Sequence, residues 1–214
     1  MLRRLLGFFF KHIYHGLAWA YDSVAATVSL GRWDAWIEAV LPFISGRRIL
    51  ELGHGTGHLL EALARRGDGR AVGLDESSEM AMLARRRTMR SGRTPSELIR
   101  GLAQRLPLCT ASFDCIVSTF PTEFIFDRET LAGIHRVLTP GGRLIVLPVA
   151  WIVGTKHVER AAAWLFVVTR QVPPEVELTI SARLERPLLD AGFQVALHRI
   201  EVQASIVLVI VATR

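Results

Sequence analysis

Apolar and polar positions change their period several times along this 214-residue chain. Residues 1–46 follow a helical period. At about 100° per residue, Leu2, Leu6, Phe9, Ile13, Leu17 and Ala20 fall on one face, and Arg4, Lys11 and His15 fall opposite. From residue 47 onward, short apolar runs alternate with amphipathic stretches. The runs near 48–52, 71–75, 97–100, 113–118 and 143–148 predict strands, and the stretches near 57–66, 78–91 and 128–137 predict helices. A parallel sheet with crossover helices requires this alternation. Gly141-Gly142 after Thr139-Pro140 marks a turn into the fifth strand. An apolar helix is expected over 155–171, ended by Pro173-Pro174, and another over 181–191. Two long runs, 193–202 and 205–212, joined by Gln203-Ala204, predict an antiparallel hairpin. The expected fold is α/β: a seven-stranded, mostly parallel sheet with a C-terminal antiparallel hairpin, preceded by N-terminal helices. Residues 1–46 would be a helical cap or membrane-surface segment and residues 47–214 the sheet domain.

Composition narrows the partners. Half of the residues are hydrophobic, at 50%, and the net charge is +6. A basic balance suggests nucleic acid, an anionic membrane surface, or neither. Arg85-Arg86-Arg87 falls in the second half of a predicted helix, where cations suit the helix dipole, and reads as a solvated face. No basic segment interleaved with aromatics is present, which disfavours nucleic acid. The apolar stretch from Leu5 is broken by Lys11, His12 and His15, so it is too short and too polar to span a bilayer. It also lacks a small-residue cleavage site for secretion. Residues 1–20 are left as an in-plane membrane helix or a cap over the site. The two cysteines, Cys109 and Cys115, have no metal-binding spacing, and suit reduced thiols and a cytoplasmic, metal-free protein, with residues 1–20 open to contact with a membrane surface. Monomer and homodimer both stay open, because an apolar helix can pair two chains as well as touch lipid.

The candidate chemistry centres on Ile49-Leu50-Glu51-Leu52-Gly53-His54-Gly55-Thr56-Gly57-His58. A strand ending in a carboxylate runs into three alternate glycines and then a helix. Such a turn lets backbone approach a ligand closely and points free helix N–H groups at it. The dinucleotide fingerprint needs a small residue where His58 or Leu60 stands, and neither fits. The second strand ends in Asp75, a carboxylate able to accept from two ribose hydroxyls.

The pattern E-x-G-x-G-x-G resembles motif I of the class I S-adenosylmethionine (AdoMet) methyltransferases. Four further stretches are similar to that family in order and spacing over residues 47–148: Asp75-Glu76-Ser77-Ser78-Glu79-Met80, then 100–108, 113–118 and 136–144. The resemblance implies a Rossmann-like class I fold, AdoMet as cofactor and S-adenosylhomocysteine (AdoHcy) as product. It implies Glu51 near the methionine amine or bracing the turn, and Gly53, Gly55 and Gly57 at the closest approach. Asp75, followed by Glu76, would hold the ribose. Ala103 and Gln104 would flank the adenine, because Leu102 stands where many members carry Asp. Ser118 and Thr119 would lie where the methyl leaves, and Tyr21 would pack on cofactor or lid. His54, within the turn, is expected to point outward from it.

The segment from Tyr21-Asp22 through Ser29, Gly31 and Trp36 resembles the ubiquinone/menaquinone biosynthesis methyltransferases. Their motif after strand four is not matched by Ser118-Thr119-Phe120-Pro121-Thr122-Glu123-Phe124. The implied activity is methyl transfer to a small or lipid-like apolar acceptor of quinone, phenol or lipid-headgroup type. The alternative is a non-catalytic module of the same fold that docks a partner or membrane through its N-terminal helix. No general base declares itself among His12, His15, His157 and Glu123, and His135 and His198 read as structural.

Overall fold

Strand β1, Arg48–Leu52, sets the architecture. Successive side chains of a strand point to opposite faces. Leu50 and Leu52 join the core layer on one side, and Ile49 joins the layer on the other. Both faces of β1 are therefore covered, and apart from Arg48 at its start and the buried Glu51 its residues are apolar on both faces, as a central parallel strand demands. In the computed structural model, residues 18–67, 69–90, 97–153 and 177–214 are described, with side chains from 22 and, in the last stretch, from 184. The expected helix over 155–171, His157, residues 1–17 with His12 and His15, and the Tyr21 side chain lie outside them.

The other strands are β2, Arg70–Asp75; β3, Glu97–Arg100; β4, Phe113–Thr119; β5, Leu138–Ile152; β6, Gln194–Val202; and β7, Ser205–Thr213. They form one seven-stranded sheet in the order β3-β2-β1-β4-β5-β7-β6. The pairs among β1 to β5 are parallel. β7 pairs antiparallel to both β5 and β6, as the two C-terminal runs predict. β5 is longer than the expected strand 143–148. Leu138 pairs with Phe113 and Arg143 with Cys115. The Thr139-Pro140-Gly141-Gly142 turn is thus a bulge inside the strand rather than a turn before it. Gly141, at φ +75°, provides the left-handed backbone that the bulge needs.

The helices are α1, Ala18–Val28; α2, Trp33–Glu38; α3, His58–Arg66; α4, Ser78–Arg90; α5, Arg128–Val137; and α6, Glu177–Asp190. Leu131, Ile134 and Val137 of α5, with Leu188 of α6, bury one face of the sheet. Trp36 and Ile37 of α2 and Leu59 and Leu63 of α3 bury the other, together with Val40 and Ile44. No helix among the described residues is long and apolar enough to cross a membrane. Strand order reverses between β1 and β4, so the carboxyl ends of β1, β2 and β4 open a crevice at this switch point. In open α/β sheets a ligand binds there.

Candidate functional site

The glycine turn leaves β1 at this crevice. Gly53, Gly55 and Gly57 have φ of +68°, +50° and +84°, a region that favours glycine over every L residue. A Cβ at Gly57 would stand 2.8 Å from the Cα of Ala84, so this glycine also lets the start of α3 touch α4. A Cβ at Gly55 would meet nothing within 4 Å, so here the turn faces open space. A Cβ at Gly53 would come within 3.2 Å of the Phe124 ring, which approaches from the turn Glu123–Phe126 after β4.

Two buried carboxyl groups flank the turn. Asp75 is 3% exposed at the end of β2. It accepts the Gly55 N–H at 2.9 Å and the Ser77 N–H at 2.9 Å, which fixes turn and β2 end to each other. Ser77 in turn caps α4 by accepting the Met80 N–H at 3.2 Å. Glu51 is 1% exposed. The Leu60 backbone N–H donates to it, so Glu51 braces the first turn of α3, while its Oε2 has no partner among the described residues. Burial, then the charge of Asp75, push the Glu51 carboxyl well above the usual carboxylate range.

His54 departs from its expected outward position and is 4% exposed. The reason lies in β2. A Cβ at Gly73 would sit 2.8 Å from the His54 Cδ2, so the imidazole fills the space that Gly73 leaves. Its Nδ1–H donates to the Gly55 carbonyl at 2.8 Å, and its buried Nε2 has no partner among the described residues. Burial depresses its pKa, against the opposing charge of Asp75.

The other predicted residues are distributed around this core. Glu76 is exposed just past Asp75, and its carbonyl accepts from the Arg100 side chain at 3.1 Å. The Gly101 N–H donates to the Asp75 carbonyl at 3.0 Å, which sets Ala103 and Gln104 beside the β2 end. Ala103 is buried, and the Gln104 amide donates to the Asp127 carboxylate at 3.0 Å. Ser118 is fully buried, and its hydroxyl donates to the Leu52 carbonyl at 2.7 Å. It therefore braces the β1 end from behind, while Thr119 lies half-buried at the rim. Among the base candidates, Glu123 is exposed, His135 packs edge-on to Phe193 and His198 lies against Phe43. No cluster of metal ligands occurs among the described residues.

Sequence reasoning missed three contributors. Phe120, at φ +47° directly after β4, is a non-glycine residue in the left-handed region, and it stacks on Trp33 at 4.4 Å between ring centroids. Phe124 covers Gly53. Asp22 of α1 bonds Thr56 inside the glycine turn at 2.7 Å. The aromatic residues after β4 were visible as departures from a motif. Asp22 was visible within the Tyr21-Asp22 segment, but its contact with Thr56, across 34 positions, leaves no periodic trace.

Comparison with known proteins matches this geometry. Residues 49–142 fit a family model described as a methyltransferase domain. The ubiquinone/menaquinone biosynthesis C-methyltransferase UbiE of Enterobacter sp. is 34% identical over 143 residues, covering 64% of this chain and 57% of that protein. Its Klebsiella pneumoniae counterpart is 32% identical over the same shares. The chain thus spans little more than half the length of these relatives. Among solved structures, a SAM-dependent methyltransferase from Aquifex aeolicus superposes with TM-score 0.60 at 21% identity, covering 85% of this chain and 92% of that one. The [4+2]-cyclase SpnF does so with TM-score 0.61 at 16% identity, covering 86% and 80%. Residues 49–142 thus match a methyltransferase-domain family model, the chain has the fold of the class I AdoMet-dependent methyltransferases, and its sequence resembles the ubiquinone/menaquinone biosynthesis enzymes.

Proposed function

We propose that this protein transfers a methyl group from AdoMet to a small or lipid-like apolar acceptor of quinone, phenol or lipid-headgroup type. The observation that carries the reading is the glycine turn held between two buried carboxyl groups, Glu51 and Asp75, at the switch point of the sheet. The residues fit the cofactor. The unpaired Oε2 of Glu51 suits an ammonium group, Asp75 can accept from a ribose diol beyond its two backbone bonds, and the open face at Gly55 leaves room for close approach. Ala103 and Gln104, beside the β2 end, are read as the residues that flank the base. AdoMet, when bound, supplies a methyl group made electrophilic by a sulfonium sulfur. The chain's own residues then act mainly by position: they hold the reacting groups in line and keep water out.

We read an aromatic group after β4 as the acceptor wall. Trp33 and Phe120 stack at the carboxyl end of β4, and Trp36 lies beneath them, fully buried. Such a wall suits a planar ring better than a charged acceptor. The names of the curated relatives make a quinone ring carbon the first acceptor to try.

Calorimetric titration with AdoHcy tests the cofactor half. Micromolar binding that weakens by about tenfold or more in Asp75→Ala supports the site. Absence of binding to the wild-type chain refutes it. Labelled AdoMet offered with quinone, phenolic and lipid acceptors tests the second half, and cofactor binding without turnover of any of them favours the non-catalytic docking module.

A further inference from the structure

Outside the pocket, the glycine turn is gripped a second time. Asp22, near the start of α1, reaches it through three groups. The Thr56 hydroxyl donates to Asp22 Oδ1 at 2.7 Å, and the His58 Nε2 lies 3.1 Å from the same oxygen. The Arg87 guanidinium of α4 forms a short ion pair with Asp22 Oδ2. The Nε of the same arginine donates to the Thr56 carbonyl at 2.9 Å, and its Nη1 lies 3.6 Å from Glu61. His58 also bonds Asp34 of α2 through Nδ1 at 2.5 Å. One residue of the turn, Thr56, thus has both its hydroxyl and its carbonyl committed to this cluster.

The geometry has a directional consequence. Gly55 is tied inward to Asp75, and its neighbour Thr56 is tied outward to Asp22 and Arg87. The three glycines of the turn impose no side-chain constraint of their own, so these two sets of bonds hold its shape together with the His54 bond to the Gly55 carbonyl and the backbone bonds of Gly53 to Leu74 and of Gly57 to His54. Burial pulls the Asp22 carboxyl up, but the bonds from His58 and Thr56 and the charges of Arg87 and His58 outweigh it and hold the group at about 2. The carboxylate is therefore charged throughout the physiological range, and the grip on the turn persists there.

We propose that Asp22 is a positioning residue that couples the N-terminal helix α1 to the cofactor pocket, so that docking of α1 through Asp22, Thr56 and Arg87 sets the turn for cofactor binding and bound cofactor in turn holds α1 down. The proposal rests on the reading of the crevice as an AdoMet site. Linkage makes the coupling reciprocal: whatever docking contributes to cofactor affinity, cofactor contributes to docking. Asp22 touches neither cofactor nor acceptor in this scheme. It acts through Thr56.

Two measurements on the full chain test it. AdoHcy affinity is measured by calorimetry for wild type, Asp22→Asn and Arg87→Lys, and amide hydrogen exchange over residues 18–28 is followed with and without AdoHcy. In the wild type, AdoHcy is expected to slow exchange in α1. In Asp22→Asn the affinity is expected to fall roughly tenfold, and the AdoHcy-dependent slowing to disappear. Arg87→Lys keeps the charge but cannot span Asp22 and the Thr56 carbonyl in one planar fork, so a smaller loss, about threefold, is expected. It also serves as the readout if Asp22→Asn does not fold. A plain structural role would lower the melting temperature and leave exchange in α1 insensitive to AdoHcy. Unchanged affinity in both folded variants, or wild-type exchange in α1 that ignores AdoHcy, overturns the proposal while the cofactor site stands. Failure of the wild-type chain to bind AdoHcy at all removes the site itself, and the proposal with it.

Discussion

Glu51 and Asp75 are both carboxylic acids at strand ends, and their surroundings separate them. Asp75 accepts two backbone N–H bonds. Glu51, fully buried, has one oxygen without a partner among the described residues and a raised pKa. A raised folded-state pKa contributes stability that is present below the unfolded value and lost as pH rises through the folded one. In the free protein, Glu51→Gln keeps the shape and removes that loss. It is expected to raise neutral-pH stability by about 1 kcal/mol or more, to flatten the decline of melting temperature above pH 5 or so, and to weaken AdoHcy binding. A melting temperature that falls in the variant contradicts this account. The thiols give a simpler contrast. Cys115 is buried in β4, and burial pushes it up to about 12, whereas Cys109 is exposed. Maleimide at neutral pH should modify Cys109 alone in the folded chain, and modification of both within minutes would contradict the burial of β4.

At the scale of elements, the sequence laid out more of the sheet than of its joints. The helices at 57–66, 78–91 and 128–137 and the terminal hairpin were legible because an apolar period is a local property of a few turns or a few residues. The position of His54 was not, because it depends on Gly73, which stands in another strand. Gly73→Ala tests that dependence: the added methyl meets His54 Cδ2 and Leu60 Cδ1, both at 2.8 Å. A loss of about 1–3 kcal/mol in urea unfolding is expected, with partial recovery when His54→Ala is added. The Asp22 grip was equally hidden, and so was the tie between the amino ends of β1 and β4. There Asp114 accepts the Arg47 and Arg48 N–H groups at 3.0 Å each. The bond from the Arg48 side chain is the largest influence that holds the Asp114 carboxyl at about 2. Its depressed pKa gives stability present above the unfolded value, about 3.9, and lost as pH falls toward 2. Acid unfolding of Asp114→Asn should therefore show a shallower loss in that window than the wild type, and identical slopes would refute the tie.

For the whole molecule, the packing of α2 against the sheet matters most. Trp36, at 0% exposure, belongs to the same core layer as Ile49 of β1, Ile145 of β5 and Val207 of β7. Residues 33–44 accordingly share the core of the sheet. Trp36→Ala is expected to cost about 3–5 kcal/mol and to lower the midpoint of a single unfolding transition. Two resolved transitions, with only the first moved, would show that the N-terminal elements fold apart from the sheet.

The strand order bears on how the chain is made. β7, residues 205–213, lies between β5 and β6, and eight of its nine residues are buried. On the ribosome, β5 emerges more than fifty residues before its neighbour exists, and β6 emerges before the strand that joins it to the sheet. Until β7 arrives, the edge of β5 stands open, with Leu144, Ile145, Val146 and Leu147 in a row. An open apolar edge is a template for pairing with another chain. Synthesis that stalls between residues 153 and 205 should therefore yield aggregating nascent chains, whereas completion of β7 closes the sheet in one step.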